Sequence, residues 1–445
     1  METLDLDPRR QILLISLALT VTLPGVFIRL TGAHPDPVVG AFLFGLAIVG
    51  AAFILSWAAE VVQLDIAAGL ALALLALIAI LPEYAVDFVF TAKAGQEFAE
   101  TGAATDYGPL ALANMTGGNQ LLIGLGWPLV ILLGTYRVRK RQASPVRAEG
   151  TTATTINLDR SQSVEIAYLT IASLYGLSLF LKDTLTLWDA GILVFIYVLY
   201  LRRLSGAPPS TPHLVGPSAY LGSLPKRRRR IINYSFFVVA AAVILLCAEP
   251  FAEAIVEMGK ALGVSQFLLV KWIAPTASEA PELLVAALFA WRLAARTGFG
   301  ALVSSKVNQW TLLVGTLPIV FSIFSGTTHG LPLDRQQRVE LMVTAAQSVF
   351  AVAIVASRSV STKEAWVMLT LFVAQLLESG LTELGHISDE SSAQARIWVG
   401  IVFLLAAAWV LRKDFRKLVL VVREGLRTPW DELAREDTPP TATPF

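Results

Sequence analysis

The chain has 445 residues, of which 55% are hydrophobic and only 16% charged, and its formal net charge is +1. A soluble domain carries about a quarter charged residues, so the composition excludes an ordinary soluble protein, and the near-zero net charge gives no basis for binding nucleic acid or an acidic partner. Cys247 is the single cysteine, which excludes an internal disulfide and a cysteine-ligated metal cluster.

The first apolar run, Gln11 to Leu30, follows Arg9 and Arg10. It is long for a signal-peptide core, contains Pro24 and lacks a small-residue cleavage site, so it is expected to be retained as a membrane helix. Further apolar runs of roughly 20 residues, enough to cross the hydrocarbon layer, lie near 39–59, 66–92, 107–134, 163–181 and 186–203. A second set lies near 231–257, 265–291, 299–326, 339–357, 363–379 and 395–412. The expectation is an all-α polytopic membrane protein with about twelve transmembrane helices.

Loop charges orient these spans. Arg137 to Arg160, Arg202 to Arg230 with the run Lys226-Arg227-Arg228-Arg229-Arg230, Arg292 and Arg296, Arg358 and Lys363, and Arg412-Lys413 all fall on one side. Glu97, Glu100, Asp106, Glu383, Asp389 and Glu390 fall on the other. The positive-inside rule puts the basic side and both termini in the cytoplasm, in a cell (plasma) membrane. The basic run reads as a topology determinant in preference to a lipid-headgroup site. Residues 141–162 and 204–225 read as flexible linkers, and the tail after Pro429, with Pro439, Pro440 and Pro444, as disordered.

Two segments repeat. The third span carries Leu81-Pro82-Glu83 and the eighth Ala280-Pro281-Glu282; the fourth carries Asn119-Gln120 and the ninth Asn308-Gln309. The second and seventh end in Trp57-Ala58-Ala59-Glu60 and Leu246-Cys247-Ala248-Glu249. Each repeat therefore has five helices, an odd number, and the two have inverted topology, a pattern of secondary transporters. The organisation expected is an extra helix in 1–38, repeats over 39–203 and 231–379, a basic loop over 204–230, and a last helix with tail over 380–445.

Glu83 and Asp87 are four residues apart and share a helix face, as do Glu279 and Glu282, three apart. Ionised groups at this depth are costly and mark function by default. Four carboxylates form a hard, oxygen-rich site suited to sodium, calcium or a proton, and prolines 82 and 281 free backbone carbonyls beside it. Asn114, Asn119 and Asn308 offer neutral oxygens from the fourth and ninth spans. Lys306 lies too deep to snorkel and is expected to pair with Glu282 or Glu279. The plainer readings are helix-packing ion pairs for Glu83 and Glu282, support of the ligands for Asp87 and Glu279, and interhelical hydrogen bonds for the asparagines. Glu60 and Glu249 are expected at the interface, and Lys93 and Lys271 are expected to reach it without a function.

At these residues the chain resembles the calcium/cation antiporter superfamily, which includes the sodium/calcium exchangers. The family's repeats read Gly-Thr-Ser-x-Pro-Glu on one helix and Gly-Asn-x-x-Gly-Ser-Asn on the next. Glu83 and Glu282 fall on the family's cation-binding glutamates, and Asn114, Gly117 and Asn119 match the second motif. The chain departs at Ala79-Ile80, at Ser278-Glu279 and at Leu302 to Asn308, losing hydroxyl ligands and gaining Lys306. A tethered ammonium there either stands in for one bound cation or titrates when desolvated. The resemblance implies a secondary cation antiporter exchanging calcium or sodium against sodium or protons by alternating access, with no cofactor. A sodium/proton antiporter without calcium transport is the alternative, with a cation channel or a transport-dead scaffold behind it. An intramembrane enzyme is disfavoured because His34, His213, His329 and His386 lie in loops or near helix ends and form no His-Glu-x-x-His. Oligomeric state is left open.

Overall fold

The computed structural model describes residues 7–65, 81–144, 148–208, 214–383 and 388–433. The start of the third span, with Ala79-Ile80, lies outside these residues, as do His213, His386 and the tail prolines. The described residues are mostly helical: α1 Pro8–Thr31, α2 Pro37–Val62, α3 Leu81–Thr101, α4 Tyr107–Leu121, α5 Trp127–Arg141, α6 Ser163–Leu179 and α7 Leu187–Leu204. After the short α8 Pro217–Gly222 come α9 Lys226–Leu262, α10 Gln266–Trp291, α11 Ala295–Asn308, α12 Val314–Ser325, α13 Arg335–Val355, α14 Thr362–Glu383, α15 Asp389–Arg427 and α16 Trp430–Leu433. Among the described residues nine helices are long and apolar enough to cross a membrane. Of the other three predicted spans, 163–181 and 186–203 coincide with α6 and α7, and the described part of 66–92 falls in α3, which continues beyond the predicted end through Glu97 and Glu100 to Thr101. The protein is an all-α polytopic membrane protein.

Each of the fourth and ninth spans is broken once. A π-helical turn, Leu122–Gly126, joins α4 to α5, and another, Gln309–Leu313, joins α11 to α12. Such turns recur at functional positions; the first begins two residues after Asn119-Gln120 and the second at Gln309 itself.

Two short antiparallel straps reveal the inverted repeat. Thr155–Asn157 (β1) pairs with Ser359–Ser361 (β4), and Thr184–Leu185 (β2) pairs with Leu331–Pro332 (β3). The first strap joins loops on the face rich in Arg and Lys, the second loops on the opposite face. Exchanging the repeats turns one strap into the other. Capping boxes follow the same rule: Asp159 with Gln162 matches Asp334 with Gln337, and Thr186 with Asp189 matches Ser361 with Glu364, all at one constant sequence offset. Each satisfies backbone donors that the helix start leaves open.

Residues 141–162 and 204–225, expected to be flexible linkers, are partly structured. β1 has its partner in the other repeat, and Ser218 on α8 is buried and donates to Glu60. The C-terminal end of α15 is held on the basic face, where Glu424 accepts from Arg160 at 3.0 Å and lies 3.3 Å from Arg358 in an ion pair, and Trp430 Nε1 donates to Arg203 O at 2.7 Å.

Small residues let α2 pack closely between α1 and α9. A Cβ on Gly25 would stand 2.8 Å from that of Ala47, and one on Gly50 would stand 2.6 Å from Ala18 O. Leu17, Phe27, Val238, Leu245, Leu405 and Trp409 are exposed on α1, α9 and α15, the apolar outer surface that lipid tails cover.

Part of the basic run has a defined partner. Arg229 grips Asp65, just past the end of α2, through Nε at 3.0 Å and Nη2 at 2.9 Å, and Arg230 Nε adds a bond at 3.1 Å. The Arg229 hydrogen bond holds the Asp65 carboxyl below its usual range despite an opposing effect of burial. A carboxylate whose pKa is depressed by folding contributes stability above its unfolded value and loses it as the pH falls through the folded value. Asp65→Asn is therefore expected to lower the melting temperature at neutral pH and to change little in acid below the folded value. Equal shifts at both pH values would show that the ion pair contributes nothing.

Candidate functional site

The polar centre is built from α3, α4, α10 and α11. Pro275 and Pro281 lie inside α10. Having no N–H, they leave Lys271 O and Ala277 O without their helical donors. Gly117 on α4 faces the first of these carbonyls so closely that a Cβ there would stand 1.8 Å from Lys271 O. A Cβ on the adjacent Gly118 would stand 3.2 Å from Glu279 Oε1. The glycine pair thus lets α10 lay its acidic face against α4.

At this crossing Glu83, Glu279 and Glu282 each place a carboxylate oxygen within 4.8 Å of the other two. Glu83 and Glu279 are buried and Glu282 is partly so. The two Pro-Glu pairs recognised in the sequence, far apart along the chain, meet here with Glu279. Gln309 Nε2 donates to Glu83 Oε2 at 3.2 Å and also to Glu279 Oε1, bridging the two repeats. Ser305 Oγ donates to Glu282 Oε2 at 2.9 Å. One helical turn beyond Glu83, Asp87 accepts from Asn114 Nδ2 at 2.6 Å. Asn308 is buried between Ser305 and Gln309 on the same helix segment. Gln309 and Ser305 were not among the expected site residues. The signal for Gln309 was its place beside Asn308 in the repeated pair.

Two expectations about lysines are corrected. Lys306 does not ion-pair with Glu282 or Glu279. It is fully buried, and its Nζ donates to Asn119 Oδ1 at 2.5 Å and to Asn119 O at 3.3 Å, 4.9 Å from the centre of the Trp310 ring. The reason is helical phase: Ser305 and Gln309 face the carboxylates, and Lys306 is turned toward α4. Asn119 is in turn fixed by its own Nδ2, which donates to Met115 O at 2.9 Å.

Lys271 does not reach the interface. It is buried and bonds Glu340 Oε2 at 2.6 Å. Glu340 also accepts from Arg396 at 3.0 Å and from Gln120 at 3.2 Å, and Arg396 contacts Glu378 at 3.3 Å. This network ties α4, α10, α13, α14 and α15 together below a cavity of about 810 Å³ lined by Ser265, Arg335, Thr382 and Arg396. Lys93, by contrast, pairs with the half-exposed Glu253 at 2.5 Å, and the half-exposed Glu249, which lies inside the long α9 and not at its end, with Arg29 at 3.1 Å.

The chain matches the family described as sodium/calcium exchanger protein over residues 37–205 and 232–379. A solved structure of an H+/Ca2+ exchanger, CAX, is similar with 36% identity and a TM-score of 0.82, covering 93% of this chain and 97% of that one. The structure of native YfkE is similar in fold, with 15% identity, a TM-score of 0.57, and coverage of 87% and 99%. A selenium-substituted structure of YfkE, described as a Ca2+/H+ antiporter, gives 17% identity, the same TM-score of 0.57, and coverage of 88% and 99%. A search of curated proteins returns no match. Matched across both repeats, and with a relative 36% identical along almost its whole length, the chain belongs to the sodium/calcium exchanger family of secondary transporters.

Proposed function

We propose that this protein exchanges calcium for protons across a cell membrane, with both termini in the cytoplasm, by alternating access to the Glu83–Glu279–Glu282 site. The observation that carries this reading is the convergence of three carboxylates within 4.8 Å in the interior. Calcium takes 6–8 oxygen ligands, and the three carboxylates together offer six. Without a cation, three carboxylates this close in a low-dielectric interior repel one another, and protons relieve the repulsion. Calcium and protons then compete for the same oxygens, which makes their movements exclusive and therefore exchanged. Gln309 and Ser305 orient those oxygens beforehand. The likeness to CAX, by its name an H+/Ca2+ exchanger, supports the same assignment.

The test is calcium uptake into proteoliposomes under an imposed pH gradient. The expected apparent calcium affinity rises about tenfold per pH unit for each proton displaced. Glu83→Gln with Glu282→Gln, which keeps shape and removes two charges, is expected to lower uptake about a hundredfold or more, since ligand charge sets calcium affinity. Uptake indifferent to pH, or undiminished in the double variant, would sink the proposal.

A further inference from the structure

The Lys306 ammonium sits where a cation would. Its two acceptors, Asn119 Oδ1 and Asn119 O, converge on one point from one residue. An amide oxygen and a backbone carbonyl are the neutral ligands that replace water around a small monovalent cation. The side-chain oxygen is held in place by the bond from Asn119 Nδ2 to Met115 O, so the pair is arranged before anything binds it. The ring of Trp310 lies 4.9 Å from Nζ, adding a π face to the enclosure.

The ammonium does not act as an ion-pair partner. No carboxylate of the described residues is within salt-bridge distance of it; on the neighbouring helical positions it is Ser305 that meets Glu282 and Gln309 that meets Glu83 and Glu279. A fully buried lysine whose amine bonds carbonyl-type oxygens, with no carboxylate within reach, is placed as an ion is in a coordination site.

We propose that Lys306 is a resident cation, filling a second monovalent-cation position at the two oxygens of Asn119, so that the protein handles its transported cation without a sodium partner. The proposal rests on the reading of the carboxylate cluster as the exchange site, and extends it to which ions are excluded and why.

The experiment compares wild type, Lys306→Ala and the double variant Lys306→Ala with Asn119→Ala. Calcium uptake into proteoliposomes is measured with sodium or choline in the medium, and detergent-solubilised protein is melted in the same two salts. Wild type is expected to ignore sodium in both measurements. In Lys306→Ala, sodium is expected to raise uptake about tenfold, within the usual range of coupling between two sites, and to raise the melting temperature. The double variant is expected to lose both responses. Sodium indifference of Lys306→Ala, including a variant that is unfolded in sodium and choline alike, overturns the proposal, as does sodium-driven uptake by wild type. If wild type moves no calcium, the exchange reading fails by itself, and the sodium melt of Lys306→Ala still decides whether the second position exists.

Discussion

Gly117→Ala is expected to abolish the folded, transport-competent state, although it adds a single methyl group. In an isolated helix the change would be favourable by about 1 kcal/mol, the difference in propensity between alanine and glycine. Here the new Cβ would stand 1.8 Å from Lys271 O, a backbone atom that no rotamer change can move. Relief requires α4 and α10 to separate, and overpacking of this kind costs about 3 kcal/mol or more. The clash outweighs the propensity gain. The separation would also carry Glu279 away from Glu83, since Gly118 holds α10 at the same crossing. Melting temperature in detergent and calcium flux read the two consequences independently. A variant that melts like wild type would show that the helices are not in contact at this carbonyl.

Glu340→Gln is expected to be the most damaging change outside the carboxylate site. Glu340 accepts from Lys271 at 2.6 Å and from Arg396 at 3.0 Å, and all three are buried. Assembling buried charges is costly, and their mutual attraction offsets the cost only while the set is complete. Removing the carboxylate leaves the buried Lys271 ammonium without an ion-pair partner, beside an Arg396 that keeps Glu378, with a penalty of about 3–5 kcal/mol. The diagnostic is the double variant with Lys271→Met, which removes the stranded ammonium while keeping an unbranched apolar chain. Its stability is expected to recover a large part of the loss. Strictly additive losses would show that the two side chains do not interact.

These two residues also mark the limits of what the sequence reveals. The membrane helices, the inverted halves and the Glu83, Glu279 and Glu282 cluster are legible because a charge or a proline inside an apolar run has so few explanations. Asp87 and Asn114 were recognised separately, and their direct bond follows from the crossing of α3 and α4. The direction of Lys306 was misread because, one residue from Ser305 on a helix, a side chain turns by about 100°, enough to trade a carboxylate for Asn119. Lys271 was misread for a different reason. Its partners Glu340, Arg396 and Glu378 lie in three other helices, each too near a predicted span end to stand out. The straps and capping boxes, two to four residues each, carry almost no periodic signal, and only their pairing in space gives them meaning.

The straps have a consequence for how the protein is made. Each one joins a strand of the first repeat to a strand of the second, so neither β1 nor β2 can close within its own half. As the chain emerges, β2 waits for β3 and β1 waits longer still, for β4. The nesting sets an order of completion: the inner pair, 184–185 with 331–332, becomes available before the outer pair, 155–157 with 359–361. Contacts this distant in sequence are closed late, because their loop entropy must be met before they contribute. A ribosome that has released only the first six spans has therefore delivered helices but not half a transporter.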